Sequence, residues 1–300
     1  MSDEVSRLAI TYSHPEWIVS AYFDLLRDFE EVRSLLEANN TPAKPTFVTW
    51  PGRSEISEFH EWGAIKTTFS QYGFRADVTP SSLEAVRHRR AGVQDEGSQL
   101  VASIFAQAAA DKSSWLDLCA GPGGKAALLA SIAGQGDHRF VANEISQIRA
   151  DLVKQVVGSH EVWVGDAREI ATRGEGFDAI LADVPCTGMG ALRRRPEVRW
   201  RRSLSDLREL GVLQREISDA AISILNVGGV FGYATCSPHL AETSIAVADI
   251  LKKHPELEQI DIQPFMPLGL EGGVRDKSMA LWTQRHNTDA MFLALFRKIS

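Results

Sequence analysis

From about residue 90 to the end of the chain, short apolar segments with strand character alternate with segments of helical apolar spacing. The strand-like segments read WLDLCA, RFVANEI, EVWVGDA, FDAILADVP and GGVFGYATC, and a final pair follows near 259–263 and 290–297. Nearly continuous apolar runs are typical of strands buried on both faces, and helices between successive strands give parallel pairing. The sequence therefore predicts an α/β fold whose mostly parallel sheet is covered by helices on both faces.

The first part of the chain has a different pattern. Residues 1 to about 45 are predicted to be helical and end near two prolines, and a β-leaning segment follows up to about residue 80. We therefore predict a helical plus small α+β subdomain over 1–88 and a second domain over 89–300. The apolar positions with helical spacing in the first segment are Trp17, Ile18, Tyr22, Leu25 and Leu26.

Composition excludes several classes of protein. Three cysteines without a C-x-x-C pair make neither a disulfide framework nor a thiolate zinc site, and the eight histidines form no metal-binding motif. No apolar run reaches membrane-spanning length, and the N-terminus lacks the pattern of a secretory leader. We expect a cytoplasmic monomer without a metal or a membrane partner.

Ligands of such sheets bind beyond the carboxyl ends of the strands. The first strand is followed by LDLCAGPGGK, residues 116–125, where glycines allow close approach of the backbone and a helix begins near Lys125. A Walker loop is excluded because Lys125 is followed by Ala126, whereas a variant dinucleotide fingerprint stays open. The spacing D-x-x-x-G-x-G, from Asp117 to Gly123, resembles the first motif of methyltransferases that use S-adenosylmethionine (SAM).

Acidic residues follow the next two strands. Glu144 ends the second strand, where a carboxylate could accept both hydroxyl groups of a ribose. Asp166 ends the third strand and could accept the amino hydrogen of an adenine. This ordered series, with one acid at each strand end, favours an adenosine-containing cofactor.

Two cysteines end the fourth and fifth strands, in ADVPCTG and YATCS. C5 of cytosine is too electron-poor to attack a sulfonium methyl group, but addition of a thiolate to C6 makes C5 nucleophilic. Cys186 and Cys236 are therefore candidates for such an addition, whereas Cys119 has the pattern of a buried small apolar residue. Asp183 would lie beside the base and accept from its amino group.

A thiol has a pKa of about 8.5, so a nucleophilic cysteine needs stabilisation of its thiolate. We predict a helix from about 238 to 252, capped by Ser237 with Pro238 in its first turn. The positive end of that helix would face the sulfur of Cys236.

Residues 193–202, RRRPEVRWRR, contain six arginines and one glutamate in a chain whose net charge is −7. A charge run of this kind is usually a solvated face. Because arginine forms bidentate contacts with phosphate, and Trp200 interrupts the run, a focused nucleic-acid contact is the alternative.

These segments, in this order, closely resemble the motifs of the RsmB family of RNA cytosine-5 methyltransferases, also called Fmu or Sun. The flanking segments AGVQDEGSQLVA and LWTQRHNTDAMFLALFRK resemble the same family, and YSHPEWIV is similar to its bacterial ribosomal RNA branch. The resemblance implies a Rossmann-like fold with a seven-stranded sheet, preceded by a small RNA-recognition-like subdomain. It further implies SAM as the cofactor and RNA as the partner, with 16S ribosomal RNA as the expected substrate.

The resemblance also implies a role for each motif residue. Cys236 would be the nucleophile that bonds C6, Cys186 would assist release of the product, and Asp183 would contact both base and cofactor. The positions that match SAM contacts are Cys119, Ala120, Gly121, Pro122, Gly123, Gly124, Lys125, Glu144, Arg149, Asp166 and Asp183. The expected RNA contacts are Arg193, Arg194, Arg195, Arg199, Arg201 and Arg202.

The chain departs from the family pattern at several positions. Glu144 replaces the usual Asp, Thr187 replaces the serine of the P-C-S triplet, and Ala290 and Met291 stand in the T-D-G-F-F segment. Bacterial members carry an additional N-terminal helical RNA-binding domain, and this chain is expected to start after it. Two alternatives remain: a non-catalytic RNA-binding assembly factor, and a DNA cytosine-5 methyltransferase that would use the P-C cysteine.

Overall fold

The computed structural model describes residues 2–270 and 272–300. The first segment is helical, as the sequence predicted; it forms three helices, whose apolar faces meet in one core. Met189, Leu192 and Trp282, from much later in the chain, complete this core, and Tyr22 donates a hydrogen bond to the carbonyl of Met189. The N-terminal helices therefore support the segment that follows Cys186. Their bounds are α1 (Ser2–Thr11), α2 (Glu16–Leu26) and α3 (Phe29–Asn40).

A small antiparallel sheet follows, which confirms the predicted α+β segment. Its strands are β1 (Phe47–Thr49), β2 (Ile65–Lys66), β3 (Gly73–Arg75) and β4 (Ala91–Val93), in the spatial order β2-β3-β1-β4, and a short helix, α4 (Glu84–Arg87), precedes β4. Phe47, Phe59 and Phe74 stack in its core. The last strand of this sheet lies beyond residue 88, at which the sequence prediction divided the chain.

The rest of the chain forms a nine-stranded sheet with helices on both sides. The spatial order is β11-β12-β13-β9-β8-β5-β6-β7, with β10 paired to β13. The five strands from β9 to β7 are parallel, whereas β10 to β13 pair antiparallel. The strands are β5 (Ser114–Asp117), β6 (Arg139–Glu144), β7 (Glu161–Val164), β8 (Phe177–Asp183), β9 (Leu225–Thr235), β10 (Leu257–Ile260), β11 (Val274–Arg275), β12 (Ser278–Ala280) and β13 (Phe292–Lys298). The helices are α5 (Glu96–Ala108), α6 (Gly124–Ala133), α7 (Gln147–Lys154), α8 (Val198–Arg201), α9 (Leu204–Ser223), α10 (Ser244–Lys253) and α11 (Thr283–His286).

This topology confirms the predicted Rossmann-like fold. The seven predicted strands are present, and the short hairpin of β11 and β12 extends the sheet past β13. Neighbouring residues of one strand enter different cores, as Trp115 and Leu116 do, because both faces of the sheet are covered. Among the described residues, no helix has the length and apolar character needed to cross a membrane.

The strand order creates a crevice between β5 and β8. The chain runs outward from β5 through β6 to β7, and then returns to place β8 on the other side of β5. In open parallel sheets, such a reversal of strand order marks the ligand-binding edge. Asp117 and Asp183 end the two strands that border this crevice.

The predicted helix after Cys236 is wrong in its starting point. Ser237 accepts from the backbone of His239, and His239 caps a short 3-10 turn over Leu240–Glu242 instead of an α-helix. The helix itself begins only at Ser244. The intervening turn directs the side chain of Glu242 into the interior, where it has three hydrogen-bond donors to satisfy it. The sulfur of Cys236 therefore does not lie at the positive end of α10.

Candidate functional site

The structure brings Cys186 and Cys236 into contact. The two residues follow the parallel neighbours β8 and β9, and their sulfur atoms lie 3.3 Å apart. Both side chains are partly exposed. Gly190 donates its N–H to the carbonyl of Cys236 at 2.9 Å, so the segment after Cys186 is also fixed to the backbone of Cys236.

The two thiols do not have equivalent surroundings. The hydrogen bond with Cys236, followed by burial, raises the pKa of Cys186 well above its usual value. Cys186 therefore keeps its proton at neutral pH and can donate its S–H to the sulfur of Cys236. Burial likewise raises the pKa of Cys119, which packs against the core on the far side of the turn after β5.

A buried lysine lies on the other side of the crevice. Lys125, in the first turn of α6, donates to Asp183 at 2.7 Å. Burial alone would lower the pKa of Lys125, but the charge of Asp183 and their hydrogen bond outweigh this and raise it. Cys236 also contributes to this rise, so the ammonium group lies within electrostatic reach of the Cys236 sulfur. The positive end of α10 does not lie at Cys236, because that helix begins only at Ser244. The ammonium group of Lys125 can stabilise a thiolate of Cys236 instead.

Asp117 is the most unusual carboxylate of the site. It is 1% exposed, and among the residues that the structure describes neither of its side-chain oxygens has a hydrogen-bond partner. Burial and then the charge of Asp183 raise its pKa to about 7. An unpartnered buried carboxylate at a strand end is the group that a cationic ligand would satisfy.

The glycine-rich turn brings backbone close to the carboxylate of Glu144. A Cβ on Gly121 would lie 2.1 Å from Oε2 of Glu144 and displace that carboxylate, whereas Gly123 has a φ of +113°, a conformation that favours glycine. Glu144 accepts from the N–H groups of Gly121 and Ser146 and pairs with Arg149 at 2.6 Å. Of the remaining residues of the predicted cofactor turn, Cys119, Ala120 and Pro122 connect β5 to α6, and Gly124 is the first residue of α6.

Asp166 lies beyond β7, as predicted, but its carboxylate already has a partner. Arg168 forms a bidentate ion pair with it, and this hydrogen bond lowers the pKa of Asp166. The side chain of Asp166 is 21% exposed, so its outer edge stays open to a ligand.

The arginine run divides into anchors and exposed residues. Arg193 and Arg194 both pair with Asp95 and Asp289, at nitrogen–oxygen distances of 2.6 to 3.1 Å. These four charges compensate one another in a largely buried cluster. The burial explains why a local charge run need not be a solvated face.

A third anchor reaches the N-terminal helices. Arg199 is 4% exposed and donates to the side chain of Asn40 and to the carbonyl of Ser13. Arg202 pairs with Asp206 at 3.4 Å, whereas Arg195 and Arg201 lie on the surface. Three of the six arginines predicted to contact RNA thus donate hydrogen bonds to groups of the protein that are distant in sequence; they are Arg193, Arg194 and Arg199.

Sequence reasoning missed Glu242. Its carboxylate is fully buried and accepts from the N–H and hydroxyl of Thr187 and from the amide of Gln214. It therefore fixes the loop of Cys186 against the turn after Cys236. The only signal in the sequence is an acid placed directly before an apolar helix. Asp117 was quoted in its motif without a role of its own.

Within residues 2–270 and 272–300, no group of three or more histidine, cysteine, aspartate or glutamate side chains is arranged to hold a metal ion. Residues 104–297 match the family described as 16S rRNA methyltransferase RsmB/F. The chain belongs to this family. The family predicted from the sequence motifs is thereby confirmed.

Individual relatives agree with the family match. A putative methyltransferase of Mycobacterium tuberculosis is 42% identical over 100% of this chain and 66% of its own length. The ribosomal RNA small subunit methyltransferase B of Vibrio cholerae is 32% identical over 85% of this chain and 61% of its own length. The chain thus spans about two thirds or less of these relatives. A crystal structure of NSun6 from Pyrococcus horikoshii with SFG shares the fold, with a TM-score of 0.80, 17% identity, and coverage of 95% and 98% of the two chains.

Membership of this RsmB/F methyltransferase family confirms the predicted cofactor, SAM. The residues of the crevice fit it chemically. Within the described parts of the chain, Asp117 offers an unpartnered carboxylate to a cationic group, and Oε2 of Glu144 accepts one hydrogen bond, from Gly121. A carboxylate oxygen can accept two, so Glu144 retains capacity for a hydroxyl donor.

Proposed function

We propose that this RsmB/F protein methylates C5 of a cytosine in RNA, with 16S ribosomal RNA as its substrate. The observation that carries the proposal is the 3.3 Å contact between the sulfur atoms of Cys186 and Cys236, beside the Lys125–Asp183 ion pair. A single thiol at a strand end would have a structural explanation. Two adjacent thiols with a cation and a carboxylate make a site for addition to a pyrimidine and elimination from it. A ribosomal RNA substrate also implies a cytoplasmic protein.

The proposed cofactor contacts follow the strand ends: those of Glu144 and Asp166 were predicted from the sequence, and that of Asp117 is added from its burial in the structure. SAM supplies an electrophilic methyl group on a sulfonium. Asp117 would bind the α-ammonium group, Glu144 the ribose hydroxyls and Asp166 the adenine amino group. Arg149 and Arg168 hold the last two carboxylates in place through their ion pairs.

Bond formation begins at the sulfur of Cys236. The thiolate adds to C6 of the cytosine, and the electron pair of the C5–C6 double bond moves so that C5 becomes nucleophilic. C5 then bonds the methyl carbon, whose former bonding pair leaves with the donor sulfur. Lys125 stabilises the thiolate before the addition, and Asp183 accepts from the exocyclic amino group of the ring and orients it.

Release requires a base for the proton on C5. The pKa of Cys186 is raised first by its hydrogen bond with Cys236 and further by the charge of that sulfur. The charge disappears when Cys236 becomes a thioether, so Cys186 loses its S–H proton to water more readily once the adduct has formed, although burial still raises its pKa. As a thiolate, Cys186 removes the C5 proton. The freed pair re-forms the C5–C6 double bond, and the C6–sulfur pair returns to Cys236.

Two substitutions test this order of events. Cys236→Ala should abolish methyl transfer from radiolabelled SAM to ribosomal RNA, because no other group can activate C5. Cys186→Ala should accumulate a covalent protein–RNA adduct that survives denaturing electrophoresis. The double variant is the matched control and should form no adduct.

The same experiment separates the alternatives. An adduct that accumulates in Cys236→Ala and requires Cys186 would indicate chemistry of the DNA methyltransferase type. RNA binding without any transfer by the unmutated protein would favour a non-catalytic assembly factor. Two features disfavour the non-catalytic assembly factor: the two adjacent thiols and, in the described structure, the unpartnered Asp117. A protein that only binds RNA needs neither of them.

A further inference from the structure

Trp200 is a large aromatic side chain without a partner in the described structure. It lies in the short helix α8 and is 64% exposed, more than any other of the seven tryptophans; the next, Trp62, is 40% exposed. Within residues 2–270 and 272–300 it takes part in no ring stack and no cation–π pair, whereas Trp50, Trp115 and Trp282 each do. Leaving this much indole surface in water is unfavourable by the usual cost of exposed apolar area.

Two free cations flank this ring in the chain. Arg195 and Arg201 are exposed, and in the part of the chain that the structure describes neither guanidinium forms an ion pair or hydrogen bond. Two consecutive turns hold them near Trp200: the N–H of Val198 donates to the carbonyl of Arg195, and that of Trp200 to Glu197. The surface thus combines a bare aromatic face with uncompensated positive charge.

The segment that carries these three residues is firmly held. Arg194 is tied to Asp95 and Asp289 on one side of the segment, and Arg199 is tied to Asn40 on the other. Interactions that fix a loop before binding reduce the entropy that a ligand must overcome. The buried arginines of the run are therefore positioning residues for the exposed ones.

We infer that Trp200, with Arg195 and Arg201, is a platform on which an unpaired base of the substrate RNA stacks while the two arginines contact its phosphates. Exposed aromatic rings with neighbouring cations bind single-stranded nucleic acid in this way. The platform rests on the proposed function, since it serves the strand whose cytosine enters the crevice. The chain from Gly190, bonded to the Cys236 carbonyl, to Trp200 spans at most about 35 Å, so the stacked base lies within a few nucleotides of the target.

RNA affinity tests the platform directly. A short fluorescein-labelled oligocytidylate RNA serves as the probe in fluorescence polarisation, with no SAM present. Trp200→Ala should weaken binding roughly 5- to 150-fold, the range expected for loss of one stacked base, and Trp200→Phe should restore most of it. Arg195→Ala and Arg201→Ala should each reduce the slope of log affinity against log salt by about 0.7.

Matched controls stand elsewhere on the surface. Trp62→Ala removes the other exposed tryptophan, and Lys252→Ala removes an exposed cation of α10; both should leave affinity and salt slope unchanged. Unchanged affinity in Trp200→Ala, an equal loss in Trp62→Ala, or no binding of the probe by the unmutated protein would each overturn the platform. If Trp200→Ala binds normally while Cys236→Ala still abolishes transfer, the platform fails and the proposed function stands. The reverse pattern, with weakened binding in Trp200→Ala and no methyl transfer by any form of the protein, keeps the platform and removes the function.

Discussion

Replacing Asp117 by Asn should change how the stability of the protein depends on pH. The carboxyl is 1% exposed, lacks partners and has its pKa raised from 3.8 to about 7 by burial and the charge of Asp183. Each pKa unit corresponds to about 1.4 kcal/mol, so ionised Asp117 costs the folded state about 4 kcal/mol without a ligand. Between these two pKa values the folded protein keeps a proton that the unfolded chain has released. Its stability therefore falls as pH rises and levels off above about pH 7.

The expected magnitude follows from the same two values. Between about pH 5 and about pH 8, the wild-type protein should lose about 2.5 kcal/mol of unfolding free energy through Asp117, and the Asn variant should lose none of it. The buried amide costs about 1–3 kcal/mol at every pH, because it has no partner either. Asp117→Asn should thus lie within about 1.5 kcal/mol of wild type near pH 5 and be more stable by about 1–3 kcal/mol near pH 8.

Urea unfolding followed by far-UV circular dichroism measures this difference across the pH range. Asp249→Asn, an exposed substitution on α10, is the matched control and should differ from wild type by a constant amount. A SAM titration of the same proteins should show at least about tenfold weaker binding to Asp117→Asn, since the ammonium group loses its charged partner. If the stability difference between Asp117→Asn and wild type does not change with pH, the Asp117 carboxyl does not have the raised pKa on which this prediction depends.

Two further substitutions probe the groups that surround the thiols. Glu242→Gln should lower the unfolding free energy by about 1–3 kcal/mol, because its amide hydrogens would face the donors of Thr187 and Gln214, and should also slow adduct formation; full stability in urea unfolding would show that the loop does not depend on this carboxylate. Lys125→Gln should slow adduct formation in the Cys186→Ala background, because the thiolate loses a nearby cation; an unchanged rate in quench-flow measurements would exclude Lys125 from thiolate stabilisation.

The parts of the fold that sequence reasoning recovered are those that depend on local periodicity. The buried strands β5, β6, β8 and β9 are apolar on both faces, so their runs are recognisable without knowledge of their partners. The strand-end acids were recovered for the same reason, since a parallel sheet brings successive carboxyl ends to one edge. Adjacency of the two thiols then follows from pairing of β8 with β9.

The features that the sequence did not show depend on partners that are distant in sequence. Arg193 pairs with Asp95, and Arg199 with the N-terminal helices, so a run that looks uniformly exposed is half interior. The turn before α10 departs from a helix because Glu242 must reach Thr187 across the sheet. The helix-capping preferences of Ser237 and Pro238 do not indicate that Glu242 bonds Thr187.

The N-terminal helices α1, α2 and α3 share a core with the segment around Met189. They therefore support the loop that carries Cys186. Met189 lies three residues after Cys186, packs in the core of the first helices and accepts a hydrogen bond from the hydroxyl of Tyr22, so we expect opening of those helices to loosen the loop that carries Cys186. Hydrogen exchange at the amides of this loop should accordingly follow the opening of α1–α3 rather than that of the parallel sheet. Stabilising those helices should therefore slow exchange at the amides of the loop that carries Cys186.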